Sequence, residues 1–178
     1  MNLFLRFSTL LFLCCFIGGV ECTHAQTTYS YTFAQDDLGT SDSPKKQATL
    51  NNVNWDLSYT PTTTFFGWEN NKGLQLGSKN NAFTEYSLST SAFSGSITSV
   101  KVNASTASGA NATLEVTVGG TTYGSKSLST TAADYTFKGS ASGELKISLK
   151  QSTSKALYIK SISVTYAGSS TPPHHGNY

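Results

Sequence analysis

The chain has 178 residues, a length typical of one domain, and 38% of them are hydrophobic whereas only 12% are charged. Its net charge of +2 is too small to indicate a partner such as nucleic acid or an anionic membrane. The 10 Phe, 9 Tyr and 2 Trp supply enough apolar volume for a packed core, which excludes a disordered chain.

The first 25 residues have the pattern of a secretory signal peptide. A positive start at Arg6 precedes an apolar run over residues 10–20, and Ala25 ends a segment suited to cleavage. The apolar run is too short for a stable membrane anchor. We therefore expect cleavage after Ala25 and a secreted or cell-surface protein. The alternative is a lipoprotein anchored at Cys22, for which Glu21 is a poor neighbour.

Cleavage would leave a mature chain without cysteine, because Cys14, Cys15 and Cys22 all lie in the leader. An exported domain without disulfides must be stabilised by burial of its core. We predict one domain over residues 26–166. Residues 167–178 contain Gly, Ser and Pro with little that could pack on a core, so a disordered tail is expected.

The mature sequence consists of short runs in which apolar and polar residues mostly alternate. The first predicted strands are 26–33 and 53–59, separated by a loop at 34–52. The aromatic run 65–68 is non-periodic and precedes a polar turn at 69–73. Further strands are predicted at 73–78, 83–89, 97–104, 112–118, 135–137, 144–150 and 157–166. Many short strands without a helical stripe predict an all-β, antiparallel β-sandwich.

Two local patterns predict details of strand pairing. The paired glycines Gly119 and Gly120 indicate a two-residue hairpin, which would place Val116 opposite Tyr123. Residues 97–102 and 159–164 share the pattern Ile-x-Ser-(Val/Ile)-x-Val. In both segments the alternation skips one residue near the Ser, as a β-bulge requires.

Three segments carry a resemblance to a known family: Gly-Leu-Gln-Leu-Gly-Ser at 73–78, the run at 93–104, and Ala-Leu-Tyr-Ile-Lys-Ser-Ile-Ser-Val-Thr-Tyr at 156–166. With them the chain resembles a β-sandwich module of exported Bacteroidetes proteins, similar to galactose-binding-like jelly rolls. The likeness covers about residues 28–166. It implies a jelly-roll sandwich of the kind that accompanies catalytic or surface domains, and it assigns no residue a role.

The inventory of side chains argues against an enzyme. No His, Cys or Arg lies between Thr27 and Thr171, which excludes Ser-His-Asp and Cys-His sites and zinc sites built on His. Two carboxylates would suffice for glycoside cleavage. The carboxylates on strands, however, fall at outward positions, where we expect them to be solvated: Asp56, Glu85, Glu115 and Glu144.

A metal site is the next alternative. Asp36 and Asp37 are adjacent in a predicted loop, where they could bind Ca²⁺ together with backbone oxygens. A role in loop or turn geometry is the favoured interpretation. We therefore expect no cofactor.

Aromatic residues among polar turn residues are the best indication of a binding site. Sugars stack apolar faces on Trp and Tyr, and their hydroxyls need hydrogen-bonding side chains. The candidate ligand-binding residues are Trp68, Glu69, Asn70, Asn71 and Lys72, with Asn80 on the next turn. The alternative is that Trp68 closes the edge of the sandwich and the Asn residues form turns. Trp55 keeps the inward phase of its strand and is predicted to be core.

These observations predict a secreted, non-catalytic binding module with a glycan as its first expected partner. The alternative is a structural or adhesive surface protein that contacts other proteins through an exposed sheet edge or face. Neither a nucleic-acid partner nor a stable membrane span is expected.

Overall fold

The computed structural model describes residues 25–61 and 65–168, and these form twelve β-strands without a helix. The strands are β1 (Gln26–Thr32), β2 (Gln47–Leu50), β3 (Val53–Thr60), β4 (Phe66–Glu69), β5 (Gly73–Leu76), β6 (Glu85–Thr90), β7 (Ile97–Thr106), β8 (Ala112–Val118), β9 (Thr121–Ser127), β10 (Ala133–Ala141), β11 (Leu145–Gln151) and β12 (Leu157–Ala167). Because no helix is present in the described part of the chain, none there has the length and apolarity needed to cross a membrane.

The strands form two antiparallel sheets packed face to face, which confirms the predicted β-sandwich. The first sheet has the order β10-β7-β12-β5-β4, and β1 pairs with the other half of β12. The second has the order β2-β3-β6-β11-β8-β9. Inward side chains of both sheets interdigitate, and the largest fully buried ones include Trp55, Tyr86 and Phe137. The side chains on the outer faces are mostly polar.

Two strands lie where the sequence analysis placed none. β2 falls inside the predicted loop 34–52, because Ala48 and Leu50 are only two inward positions and give too short an alternation. β4 falls on the aromatic run, where Phe66 packs on the core but Trp68 does not. The last strand extends to Ala167, which pairs with Gln26. Most of the predicted tail, and nearly all of the predicted leader, lies outside the described residues.

The glycine hairpin is confirmed, but the register beyond it is not the one predicted. Val118 pairs with Thr121 and Thr117 with Thr122, after which a bulge shifts the register so that Val116 faces Gly124. The displaced residue is Tyr123. Its hydroxyl reaches the other sheet, where it donates to the carbonyl of Ile97 and accepts from the amide of Ala141 at 2.7 Å. The Tyr123 hydroxyl thereby connects the two sheets. The alternation of apolar and polar residues in β9 could not indicate this contact.

The predicted β-bulges at the shared Ile-x-Ser pattern are confirmed. The two segments belong to β7 and β12, which pair antiparallel with each other in the middle of the first sheet. The extra residue of β7 is Thr98, and that of β12 is Lys160. In each strand the Ile before the bulge and the aliphatic residue after the Ser remain buried, because the bulge resets the alternation.

Candidate functional site

The predicted binding residues belong to the hairpin of β4 and β5, at the edge of the first sheet. Glu69 and Gly73 are paired, and the amide of Lys72 donates to the Glu69 carbonyl at 3.0 Å to close the turn. Gly73 has φ +85°, and a Cβ there would come within 2.6 Å of the Ile159 carbonyl oxygen. Only glycine therefore lets the hairpin lie this close to β12.

Trp68 is the one exposed large hydrophobic side chain among residues 25–61 and 65–168, with 37% of its surface accessible. It is outside the core cluster, although its partner Leu74 is fully buried. Its Nε1–H donates to Asn70 Oδ1 at 3.0 Å. This bond fixes the orientation of the indole, so the ring offers an accessible apolar surface of fixed direction.

Glu69 and Lys72 form a second group around Tyr158, on the outer face of the sheet. The Lys72 ammonium lies 3.8 Å from Glu69 Oε1 and 4.7 Å from the centre of the Tyr158 ring. Burial, and then the negative charge of Glu69 and its hydrogen bond, raise the pKa of Tyr158. The Tyr158 ring is almost fully buried, and the Lys72 ammonium lies over its face in a cation–π contact.

Tyr158 was not among the site residues predicted from the sequence. Its outward position could have been read from the alternation of Leu157 and Ile159 around it, but nothing in the sequence relates it to Lys72, 86 positions away. Their proximity is a product of the pairing between β5 and β12.

The structure does not bring Asn80 to the other candidates. The turn at 70–72 and the loop at 78–81 lie at opposite ends of the hairpin, since the amide of Gly77 donates to the Phe65 carbonyl at 2.7 Å. Four strand residues, about 13 Å, separate them. Asn71 is exposed within the turn itself. The turn and the adjoining end of β4 therefore hold five of the six predicted residues.

The Asp36–Asp37 pair is engaged in holding its loop. Asp37 Oδ2 accepts hydrogen bonds from the Ala34 amide at 2.6 Å and the Tyr31 hydroxyl at 2.8 Å. The Lys45 ammonium donates to the carbonyls of Asp36 at 3.2 Å and Asp37 at 3.0 Å. A lysine thus occupies the backbone oxygens that a cation would use. In the described ranges no three His, Cys, Asp or Glu residues are grouped as metal ligands.

Trp55, the other tryptophan, is core as predicted. It is fully buried, and it contacts the rings of Tyr29 and Phe93 at centroid distances of 6.2 and 6.1 Å. Its Nε1–H donates to the Tyr29 hydroxyl at 3.4 Å. The two tryptophans therefore form a natural pair for comparison, one internal and one at the surface.

No family model matches the chain, and no curated protein matches it. Among solved structures it is similar to the carbohydrate-binding module CBM36 in complex with calcium and xylotriose, with 21% identity over 61% of this chain and 92% of that one, at a TM-score of 0.41. A family 29 carbohydrate-binding module has 10% identity over 86% and 99%, at a TM-score of 0.48. TmCBM61 in complex with β-1,4-galactotriose has 12% identity over 62% and 86%, at 0.47.

Proposed function

We propose that this chain is a secreted, non-catalytic carbohydrate-binding module whose site includes the turn of the β4–β5 hairpin. The observation that carries the proposal is the exposed indole of Trp68, held by Asn70 at 3.0 Å. An immobilised aromatic ring loses little conformational entropy when a ligand stacks on it. The apolar face of a pyranose ring is a suitable partner for such a surface.

Polar side chains of the same hairpin would orient a bound sugar, with Asn70 at the indole and Glu69 and Lys72 in the neighbouring group at Tyr158. Asn70, Asn71, Glu69 and Lys72 together offer amide, carboxylate and ammonium groups within one turn. Sugar hydroxyls both donate and accept hydrogen bonds, so this mixture suits them. Trp68 and Asn71 are exposed, so a sugar bound here would keep much of its contact with solvent. We therefore expect affinities in the micromolar to millimolar range, about −8 to −4 kcal/mol.

The same structure argues against hydrolysis. Residues 25–168 contain no His, Cys or Arg. Two outward carboxylates of the second sheet are bound to lysines, Glu85 to Lys146 at 3.6 Å and Glu115 to Lys150 at 2.8 Å. Binding rather than bond cleavage is the chemistry that these groups support.

The test compares Trp68→Ala with Trp55→Ala on a glycan array. Calorimetry then measures the affinity for an oligosaccharide that the array identifies as a ligand. We expect Trp68→Ala to abolish binding while its melting temperature stays close to that of the wild type. Trp55→Ala should cost about 3–5 kcal/mol of folding free energy, because it empties a packed core. A Trp68→Ala variant that is destabilised by several kcal/mol, or that binds glycans normally, would contradict the proposal.

A structural or adhesive role is the second candidate, and the position of β4 favours it. β4 is the last strand of its sheet, so among the described residues no strand lies on one side of its backbone, although the Phe66 amide donates to Ser41 Oγ at 3.1 Å. A protein strand could pair there. A blank glycan array together with binding of extended peptides would select this alternative.

A further inference from the structure

The outer face of the first sheet differs from that of the second in how its charges are arranged. Four strands, β10, β7, β12 and β1, form this face side by side, a width of roughly 14 Å. The register fixes which residues share it. Its outward residues are Thr28, Ser30 and Thr32, then Ser161, Ser163 and Thr165, then Ser99, Lys101 and Asn103, and finally Asp134, Thr136 and Lys138.

Small hydroxyl side chains make the part of this face formed by β1 and β12 flat. Thr28 and Thr165 are bonded through their hydroxyls at 3.2 Å, and Ser30 and Ser163 at 2.9 Å. These side chains project little above the sheet. A rigid extended ligand could therefore lie across the strands, with many hydroxyls available to it.

Three lysines lie on this outer face, and few carboxylate side chains are close enough to neutralise them. Lys101 lies 3.5 Å from Asp134, and both side chains are half exposed, so this ion pair is weak. Asp134 also accepts a hydrogen bond from Asn103 at 2.8 Å. Lys138 and Lys160 have no ion pair within the described ranges. Lys160 is the bulge residue of β12, and it is only partly exposed.

The outer face of the second sheet shows the opposite arrangement. Its two lysines are both paired there, Lys146 with Glu85 and Lys150 with Glu115. Its remaining strand carboxylate, Asp56, accepts from Gln47 Nε2 at 2.8 Å. The charged side chains of this face are thus paired with one another or hydrogen-bonded. The outer face of the first sheet instead has more lysines than carboxylates.

We propose that the outer face of β10, β7, β12 and β1 binds an anionic polysaccharide, with Lys101, Lys138 and Lys160 contacting its acidic groups. This inference rests on the proposed function and names its ligand class. The acidic groups are uronate carboxylates or sulfate esters, since both accept from an ammonium. The Ser and Thr hydroxyls of β1 and β12 would contact the ring hydroxyls of the polysaccharide. The hairpin that carries Trp68 and Lys72 borders this face at Lys160, because Gly73 lies against the Lys160 backbone.

The test measures binding of the wild-type domain to polygalacturonate and to its fully methyl-esterified form, which share a backbone and differ in charge. Dextran sulfate and dextran form the second matched pair. We expect at least tenfold tighter binding to one or both charged polymers, weakening steeply with salt because exposed charges are screened. Lys101→Gln/Lys138→Gln should lose tenfold or more of this affinity. The control Lys146→Gln/Lys150→Gln, on the other sheet, should retain it.

The outcomes separate this inference from the function on which it rests. Binding of neutral oligosaccharides alone would leave the proposed function standing and overturn the anionic ligand. Binding of no glycan would overturn both. Equal losses in the two lysine variants, or equal affinity and salt dependence for single-stranded DNA, would show a general attraction to polyanions and would also overturn the inference.

Discussion

At the scale of single residues, this domain uses polar side chains to hold loops as well as to face solvent. Gln151 is the clearest case. Its amide nitrogen donates to the carbonyls of Phe83 and Lys155 at 2.8 and 2.7 Å, and its oxygen accepts from Thr153 and the Lys155 amide at 3.0 and 3.1 Å. One buried side chain thereby provides hydrogen-bond partners for backbone groups of loops that pair with no strand. The Asp37 carboxylate performs the same task at 34–37.

Tyr31 gives these polar contacts a pH dependence. Burial, the hydrogen bond to Asp37 and the Asp37 charge raise the pKa of Tyr31 from 10.0 to about 12. Unfolded Tyr31 would ionise first, so the stability it contributes is complete below about pH 10 and is lost between about pH 10 and 12. Tyr31→Phe should therefore make the fall of unfolding free energy across this window shallower, as measured by urea titration. An unchanged slope would contradict this prediction.

At the scale of elements, the two glycines of the β8–β9 hairpin differ in what requires glycine there. Both need a positive φ, but only Gly119 also lacks space for a side chain. Gly119 has φ +55° and Gly120 has φ +81°, so both favour glycine. A Cβ on Gly119 would lie 2.2 Å from the Ser142 carbonyl oxygen, whereas a Cβ on Gly120 meets no atom within 4 Å.

We expect Gly120→Ala to cost about 1–2 kcal/mol, the strain of a left-handed conformation. Gly119→Ala should cost clearly more, because the loop at Ser142 must also move. Chemical denaturation of the two variants measures the difference directly. Equal destabilisation would mean that the neighbouring loop yields freely.

Sequence patterns predicted these elements well where side chains alternate over a full strand, and poorly elsewhere. The two bulges could be read because Ile, Ser and Val each sit on a defined face. β2 could not, since it follows a polar run with Gly39 and Pro44, and β4 could not, since its aromatic residues do not alternate with polar ones. Tyr123 was placed on the wrong partner because a bulge in β9 depends on contacts with β10, which the local sequence does not contain. Of the candidate site, the turn at 70–72 was predictable, but Tyr158 beneath it was not.

At the scale of the whole molecule, the described domain is stabilised without disulfides. Its residues include no cysteine, and 31 buried side chains form one hydrophobic cluster between the sheets. We expect the exported protein to begin at Gln26 or its cyclised form, since the apolar run 10–20 precedes Ala25. Intact-mass analysis of secreted material checks this. A lipid on Cys22 would contradict it.

The pairing of Gln26 with Ala167 places the two ends of the domain side by side. Leu157, at the other end of the same strand, pairs with Leu76 of the Trp68 hairpin. The turn of that hairpin is nearer to the ends, because Gly73 lies against Lys160, seven residues or roughly 23 Å along the strand from Ala167. A carrier fused at either end would thus be attached roughly 23 Å from the hairpin turn. Because its two ends adjoin, the domain could be inserted into an exposed loop of another protein without separating its first strand from its last.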